Sequence, residues 1–108
     1  MRDRETLDDR ELVQVLKSLA DPSRLKMIQE IASAGELSCG QIAEHFDVSQ
    51  PTISHHLKIL QEAGVLISRQ EGKHHFISVN HALLGKVAGL IPVRLAPDAR
   101  RAPSRSRK

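Results

Sequence analysis

The chain of 108 residues carries 16 Lys and Arg against 13 Asp and Glu, a formal net charge of +3, which bounds it to one small, mildly basic domain with a single core. Apolar residues make up 40%, enough for a compact fold, while the aromatic share of 2% disfavours functions built on stacked rings, such as single-stranded nucleic-acid platforms and sugar clefts.

Leu12, Val15, Leu16 and Leu19 recur at the spacing of one apolar helix face, so a first helix opened by Thr6 is predicted over about residues 7–19. Asp21-Pro22 supplies an N-cap followed by proline at the first helical position, and a second helix carrying Leu25, Ile28, Ile31 and Ala32 runs from there to Gly35. Ser38-Cys39-Gly40-Gln41 has the form of a capping box, in which hydroxyl and amide reciprocally satisfy free backbone donors, and it opens a short third helix over about 39–46. Asp47-Val48 forms a tight link to Ser49, a good N-cap, and the fourth helix spans about 50–63 with Gly64 placed to end it in a left-handed conformation. Residues 65–70 and 74–79 are β-prone runs around Gln70-Glu71-Gly72-Lys73 and read as a hairpin with Gly72 at the positive-φ position. Asn80 caps a last helix with an apolar stripe of Leu83, Leu84, Val87, Leu90 and Ile91, and Pro92 is expected to stop it.

The positive charge sits at one end. Residues 94–108 hold a net +5 and residues 1–93 a net −2, so the expected organisation is a folded domain over 1–93 and a basic, disordered tail over 94–108. The tail reads equally as a phosphate-binding arm or as a solubilising end. The single Cys39 allows no internal disulfide, and the longest near-apolar run, between Lys86 and Arg94, falls far short of a membrane span. With no signal-like start either, the expected setting is the cytoplasm, away from membranes.

Two short helices joined by a link of about three residues, the second with small polar groups at its start, make a helix-turn-helix arrangement. On the fourth helix Ile53, Leu57 and Leu60 point one way, while Pro51, Ser54, His55, Lys58 and Glu62 lie roughly opposite. A major groove admits one helix, so Gln50, Thr52, Ser54 and His55 are candidates for base edges and Lys58 for a phosphate. Any solvated helix shows polar residues outward as well. The hairpin strengthens the DNA reading, because such a wing meets backbone or minor groove through Arg69, Lys73 or His74, although Glu71 is the wrong charge for a phosphate.

The stretches LADPSRLKMIQEI and LSCGQIAEHFDVSQPTISHHLKILQEAGVLISRQEGKHHFISVN resemble the ArsR/SmtB family of winged-helix bacterial transcriptional regulators over about residues 12–91. The most specific pieces are D-P-S-R-L, the S-x-x-T-x-S-x-H-L pattern from Ser49 to Leu57, and L-x-x-A-G-V-L from Leu60 to Leu66. The resemblance implies a mainly α winged helix-turn-helix fold (ααααββα) and a homodimer that binds a double-stranded operator, usually represses transcription and is released by an effector. The family-like groove residues fall on Gln50, Thr52, Ser54, His55 and Lys58. Dimerisation has a physical argument too, since so small a core does not cover the stripes of both the first and last helices; Leu12, Leu16, Leu83, Leu84, Val87 and Leu90 are the candidate contacts. Gly85-x-x-x-Gly89 permits close helix approach or simply loosens the helix.

Many members of that family carry a metal site resembling E-L-C-x-C-D, and the matching stretch here is Glu36-Leu37-Ser38-Cys39-Gly40-Gln41, with Ser38 and Gly40 at the thiolate positions. A soft metal needs several sulfur ligands, so arsenic, lead or cadmium sensing is not expected. The family's other common site uses the last helix, where His81 is present but residues 83–91 offer no ligand. Six histidines invite a zinc site, yet no two stand at i, i+3 or i, i+4 on a helix, and His74 and His75 alternate across a strand. His56 is expected to flank the core and His45 to sit on a helix surface. Cys39, at the first turn of a helix, is a candidate redox thiol or a small buried filler. No metal, cofactor or enzymatic constellation is expected, and the effector remains unknown. The competing readings are a winged helix used for protein–protein contact, which calls for apolar anchors on the fourth helix, and a metal-responsive repressor with an atypical site.

Overall fold

A computed structural model describes residues 7–96. Five helices and three strands follow in the order α1 (Asp9–Leu19), α2 (Pro22–Ala34), β1 (Leu37–Ser38), α3 (Cys39–His45), α4 (Gln50–Glu62), β2 (Leu66–Glu71), β3 (His74–Val79) and α5 (His81–Leu95). The expected mainly α winged helix-turn-helix is therefore present, with one addition. Leu37 and Ser38 pair antiparallel with Ile77 and Phe76, so β3 becomes the centre of a β1-β3-β2 sheet. Two residues are too few to carry a period, which is why this strand is silent in the sequence.

Local chemistry sets most boundaries. The first helix starts at Asp9 under a capping box of Asp8 and Glu11, whose side chains take each other's backbone N–H at 2.7 and 3.0 Å; Thr6, the expected opener, lies outside the described residues. Asp21 accepts from Arg24 N–H at 3.0 Å, with Pro22 at the first helical position, and Ser38 and Gln41 form the anticipated box. At the end of α4, Val65 N–H reaches Leu60 C=O and Gly64 N–H reaches Gln61 C=O, the two bonds of a Schellman motif, with Gly64 at φ +85°. Asn80 then joins two elements: its Oδ1 accepts from Leu83 N–H to cap α5, and its Nδ2 donates to Gly64 C=O at 2.9 Å.

Pro92 does not stop α5, which runs on to Leu95. Proline removes one bond near the helix end, where few remain to lose, and Arg94 ties the extra turn down by donating to the Asp9 carboxylate and to Leu7 C=O. Arg94 thus belongs to the folded domain and not to the tail. The remainder of the expected tail, from residue 97, lies outside the described residues.

One apolar core joins Leu12 and Val15 of α1, Met27, Ile28 and Ile31 of α2, Ile42 of α3, the back of α4, the inner face of the hairpin and Val87 of α5. This corrects part of the expected dimer stripe: Leu12 and Val87, 7% and 4% exposed, are consumed by the protomer's own core. Leu83, Leu84 and Leu90 are half-buried, and Leu16 remains exposed at 39%.

Candidate nucleic-acid interface

The polar front of α4 exists because its back is anchored. Ile53, Leu57 and Leu60 are buried against the core, and the 3.6-residue period turns Gln50, Thr52, Ser54, His55 and Lys58 outward, all of them exposed. Ser49 caps the helix by accepting from Thr52 N–H at 3.3 Å, and the Ser49 and Thr52 hydroxyls lie 2.9 Å apart. Thr52 therefore has part of its hydrogen-bonding capacity engaged locally. Gln50, Ser54, His55 and Lys58 make no side-chain hydrogen bond or ion pair among the described residues, so their donors and acceptors face outward unfilled. No large apolar side chain lies among these outward positions, contrary to what a protein-docking helix requires.

A second set of contacts, missed in the sequence, holds α4 from the side. Arg24, read there only as part of the D-P-S-R-L stretch, donates from Nε to Ser18 C=O at 2.7 Å and places its terminal nitrogen 3.3 Å from His56 Nδ1. Guanidinium nitrogens only donate, so Nδ1 accepts and the proton of the neutral His56 ring sits on Nε2. Arg24 thus bridges the end of α1, the start of α2 and the middle of α4. The same arrangement acts on Asp21, whose carboxyl is held below its ordinary value by the Arg24 backbone N–H first and by the Arg24 charge after it. His56 is half-buried, flanking the core as expected, and His45 is a surface residue 3.3 Å from Glu30.

The wing is a two-residue turn, Gly72-Lys73, closed by the Glu71–His74 pair, with Gly72 at φ +61°. Lys73 and His74 are exposed, and Lys73 has no ion pair among the described residues. Arg69 behaves differently from expectation. It lies across the outer sheet face, 4.7 Å over the Phe76 ring, donates twice to the Glu36 carboxylate at 3.1 and 2.8 Å, and sits 3.5 Å from Glu71. The bidentate bond holds the Glu36 carboxyl below its ordinary range and raises the already high value of Arg69. Two carboxylates neutralise this guanidinium, so the structure argues against Arg69 as a phosphate contact and leaves Lys73 and His74 at the wing tip.

Cys39 is half-buried at the mouth of a cleft of about 360 Å³ between α3 and the wing, with Gln41, Glu44, Lys73, His74 and His75 around it. Among the described residues no three His, Cys, Asp or Glu side chains converge as a metal ion would require.

A helix-turn-helix domain family matches residues 19–69. The arsenical resistance operon repressor of Staphylococcus aureus is 41% identical over 78 residues, covering 72% of this chain and 74% of that protein. The transcriptional repressor SdpR of Bacillus subtilis is 40% identical over 70 residues, covering 65% and 77%. Among solved structures, an ArsR-like transcriptional regulator from Rhodococcus sp. RHA1 superposes with a TM-score of 0.73 at 27% identity, over 79% of each chain.

Proposed function

Since the chain belongs to the ArsR/SmtB family of winged-helix transcriptional regulators, we propose that it is a sequence-specific, double-stranded-DNA-binding repressor acting as a homodimer in the cytoplasm. The observation that carries this is α4 itself: an apolar back locked in the core and an exposed front on which Gln50, Ser54, His55 and Lys58 have no side-chain hydrogen bond or ion pair among the described residues. Gln50, Thr52, Ser54 and His55 read base edges in the major groove, Lys58 holds phosphate, and Lys73 and His74 touch the flanking backbone or minor groove. With Arg69 neutralised, the wing contributes less charge than its composition suggests.

The dimer reading is supported by apolar surface on the two helices that Arg94 joins. Val13 and Leu16 of α1 and Val93 and Leu95 of α5 are exposed, and Leu83, Leu84 and Leu90 of α5 are half-buried. A Cβ added at Gly85 or Gly89 meets nothing within 4 Å, so this stretch of α5 is open to close approach by a second copy. A twofold axis then sets two α4 helices about one DNA turn apart, near 34–36 Å. Release follows from a signal other than a soft metal, because a lone thiol flanked by Ser38 and Gly40 is too few ligands.

Selection of bound duplexes from random DNA tests this directly. The expected result is an inverted repeat with half-sites about 10 base pairs apart. Recovery of no consensus, or of single half-sites only, would overturn sequence reading or dimeric reading respectively.

A further inference from the structure

Beside the helix-turn-helix lies a pocket of about 240 Å³ that DNA reading does not use. Three pieces of chain wall it: the first turns of α2, the link between α3 and α4, and one side chain of α4. Pro22, Met27, Phe46 and Val48 supply the apolar surface, and Met27, at 1% exposed, is fixed in the core and forms a rigid floor. The volume exceeds the about 150 Å³ that takes up benzene and falls below the about 300 Å³ at which drug-sized sites begin, so the fit is to a single ring with a small substituent. The Phe46 and His56 rings favour an aromatic occupant, since rings pack well against ring edges.

The rim sets the substituent. Lys26 is the one formally charged residue in the wall, Ser23 adds a hydroxyl, and no carboxylate lines the pocket. Glu30, one turn along α2, reaches Lys26 only at 3.9 Å in an exposed contact and also faces His45 at 3.3 Å. Exposed pairs of that kind are weak, so an arriving carboxylate displaces Glu30 at little cost. We propose that this pocket binds a small single-ring aromatic monocarboxylate, ring on Met27 and Phe46 and carboxylate on Lys26, and that its occupancy changes operator affinity. The regulatory half rests on the reading of the chain as a DNA-binding repressor. Coupling has a physical route: the occupant touches α2, the link and His56 together, and His56 is the α4 residue that Arg24 holds. A ligand shifts DNA affinity to the extent that it fits the free and DNA-bound arrangements of these pieces unequally.

The test is a backbone-amide NMR titration of the full chain with sodium benzoate and, at matched salt, with neutral benzamide. Saturable shifts centred on Lys26, Met27, Phe46, Val48 and His56 are expected, with a dissociation constant on the order of 1 mM or tighter. Benzamide should bind about fivefold more weakly, and Lys26→Gln, an exposed substitution, should erase that preference while leaving the fold intact. Absence of saturation, shifts centred elsewhere, equal binding of benzamide, or a preference that survives in Lys26→Gln would each overturn the site. Benzoate titrated onto the complex with a selected duplex should then alter affinity by about fivefold or more, and an unchanged affinity at saturation overturns the regulatory half. Benzoate binding by a chain that selects no duplex would sink the DNA reading and leave the site standing, so the two failures are distinguishable.

Discussion

Replacing Arg24 by methionine keeps most of the side-chain stem and removes the guanidinium that joins α1 to α4. The bond from Nε to Ser18 C=O is 2.7 Å, part-buried and charge-assisted, and its loss should cost about 1.5 kcal/mol. The 3.3 Å contact to His56 Nδ1 is longer and leaves an acceptor that water can reach, which adds about 0.5 kcal/mol. The third contact, 3.4 Å to Lys17 C=O at the surface, is assigned nothing. The sum is about 2 kcal/mol, or a fall in Tm of about 8–16 °C for a domain of this size. Thermal unfolding followed by circular dichroism measures it, and Arg24→Lys, which restores charge without the fork, should recover less than half of the loss. A methionine variant that melts within about 2 °C of the parent, or a lysine variant that recovers everything, would refute the view that a guanidinium clamp holds the recognition helix.

Ser54→Ala or His55→Ala should cost about 1–3 kcal/mol of operator binding and relax base preference, whereas Lys58→Ala should weaken all duplexes alike and lower the salt slope by about one; affinity across sequences and salt concentrations separates the two. Leu16→Glu, at an exposed position on α1, should leave the fold intact and shift the light-scattering mass at micromolar concentration from dimer to monomer. Gly64→Ala forces a Cβ to within 3.3 Å of Leu83 Cδ2 at φ +85°, so a loss of about 1–2 kcal/mol in denaturant unfolding is expected. Asp21, with its folded-state value below the ordinary 3.8, stabilises the native chain above that pH and ceases to do so as pH falls beneath it. Asp21→Asn, which keeps a capping oxygen but not the charge, should therefore flatten the acid limb of the stability profile by lowering stability at neutral pH, with the two proteins converging below about pH 4.

What could be read in advance was whatever depends on neighbours a few residues away. The caps at Asp21, Ser38 and Ser49, the left-handed glycines at 64 and 72, and the two faces of α4 all follow from local hydrogen bonding and the 3.6-residue period, and the structure reproduces them. The apolar stripes of α1 and α5 were legible as well, but not how each is divided. A stripe records that a side chain avoids water without recording whose core it enters, so Leu12 and Val87 went to the protomer's interior while Leu16 stayed outside. The α5 terminus was misjudged for a related reason, since proline's local veto near a helix end is outweighed by an Arg94 partner 85 residues away.

The amino-acid order alone therefore determined the five helices and the hairpin, the caps at Asp21, Ser38, Ser49 and Asn80, and the polar front that α4 presents, while β1 and the end of α5 were settled by partners distant in the chain. Which charges are free to meet DNA was decided only in three dimensions. Arg69 and Glu36 stand 33 residues apart, and Arg24 and His56 stand 32 apart. Each pair meets because a sheet register or a helix crossing brings them within bonding distance, and Coulomb and hydrogen-bond energies depend on that distance and not on position along the chain. Arg69 in consequence is bound to a carboxylate while Lys73, four residues on, has no ion pair among the described residues.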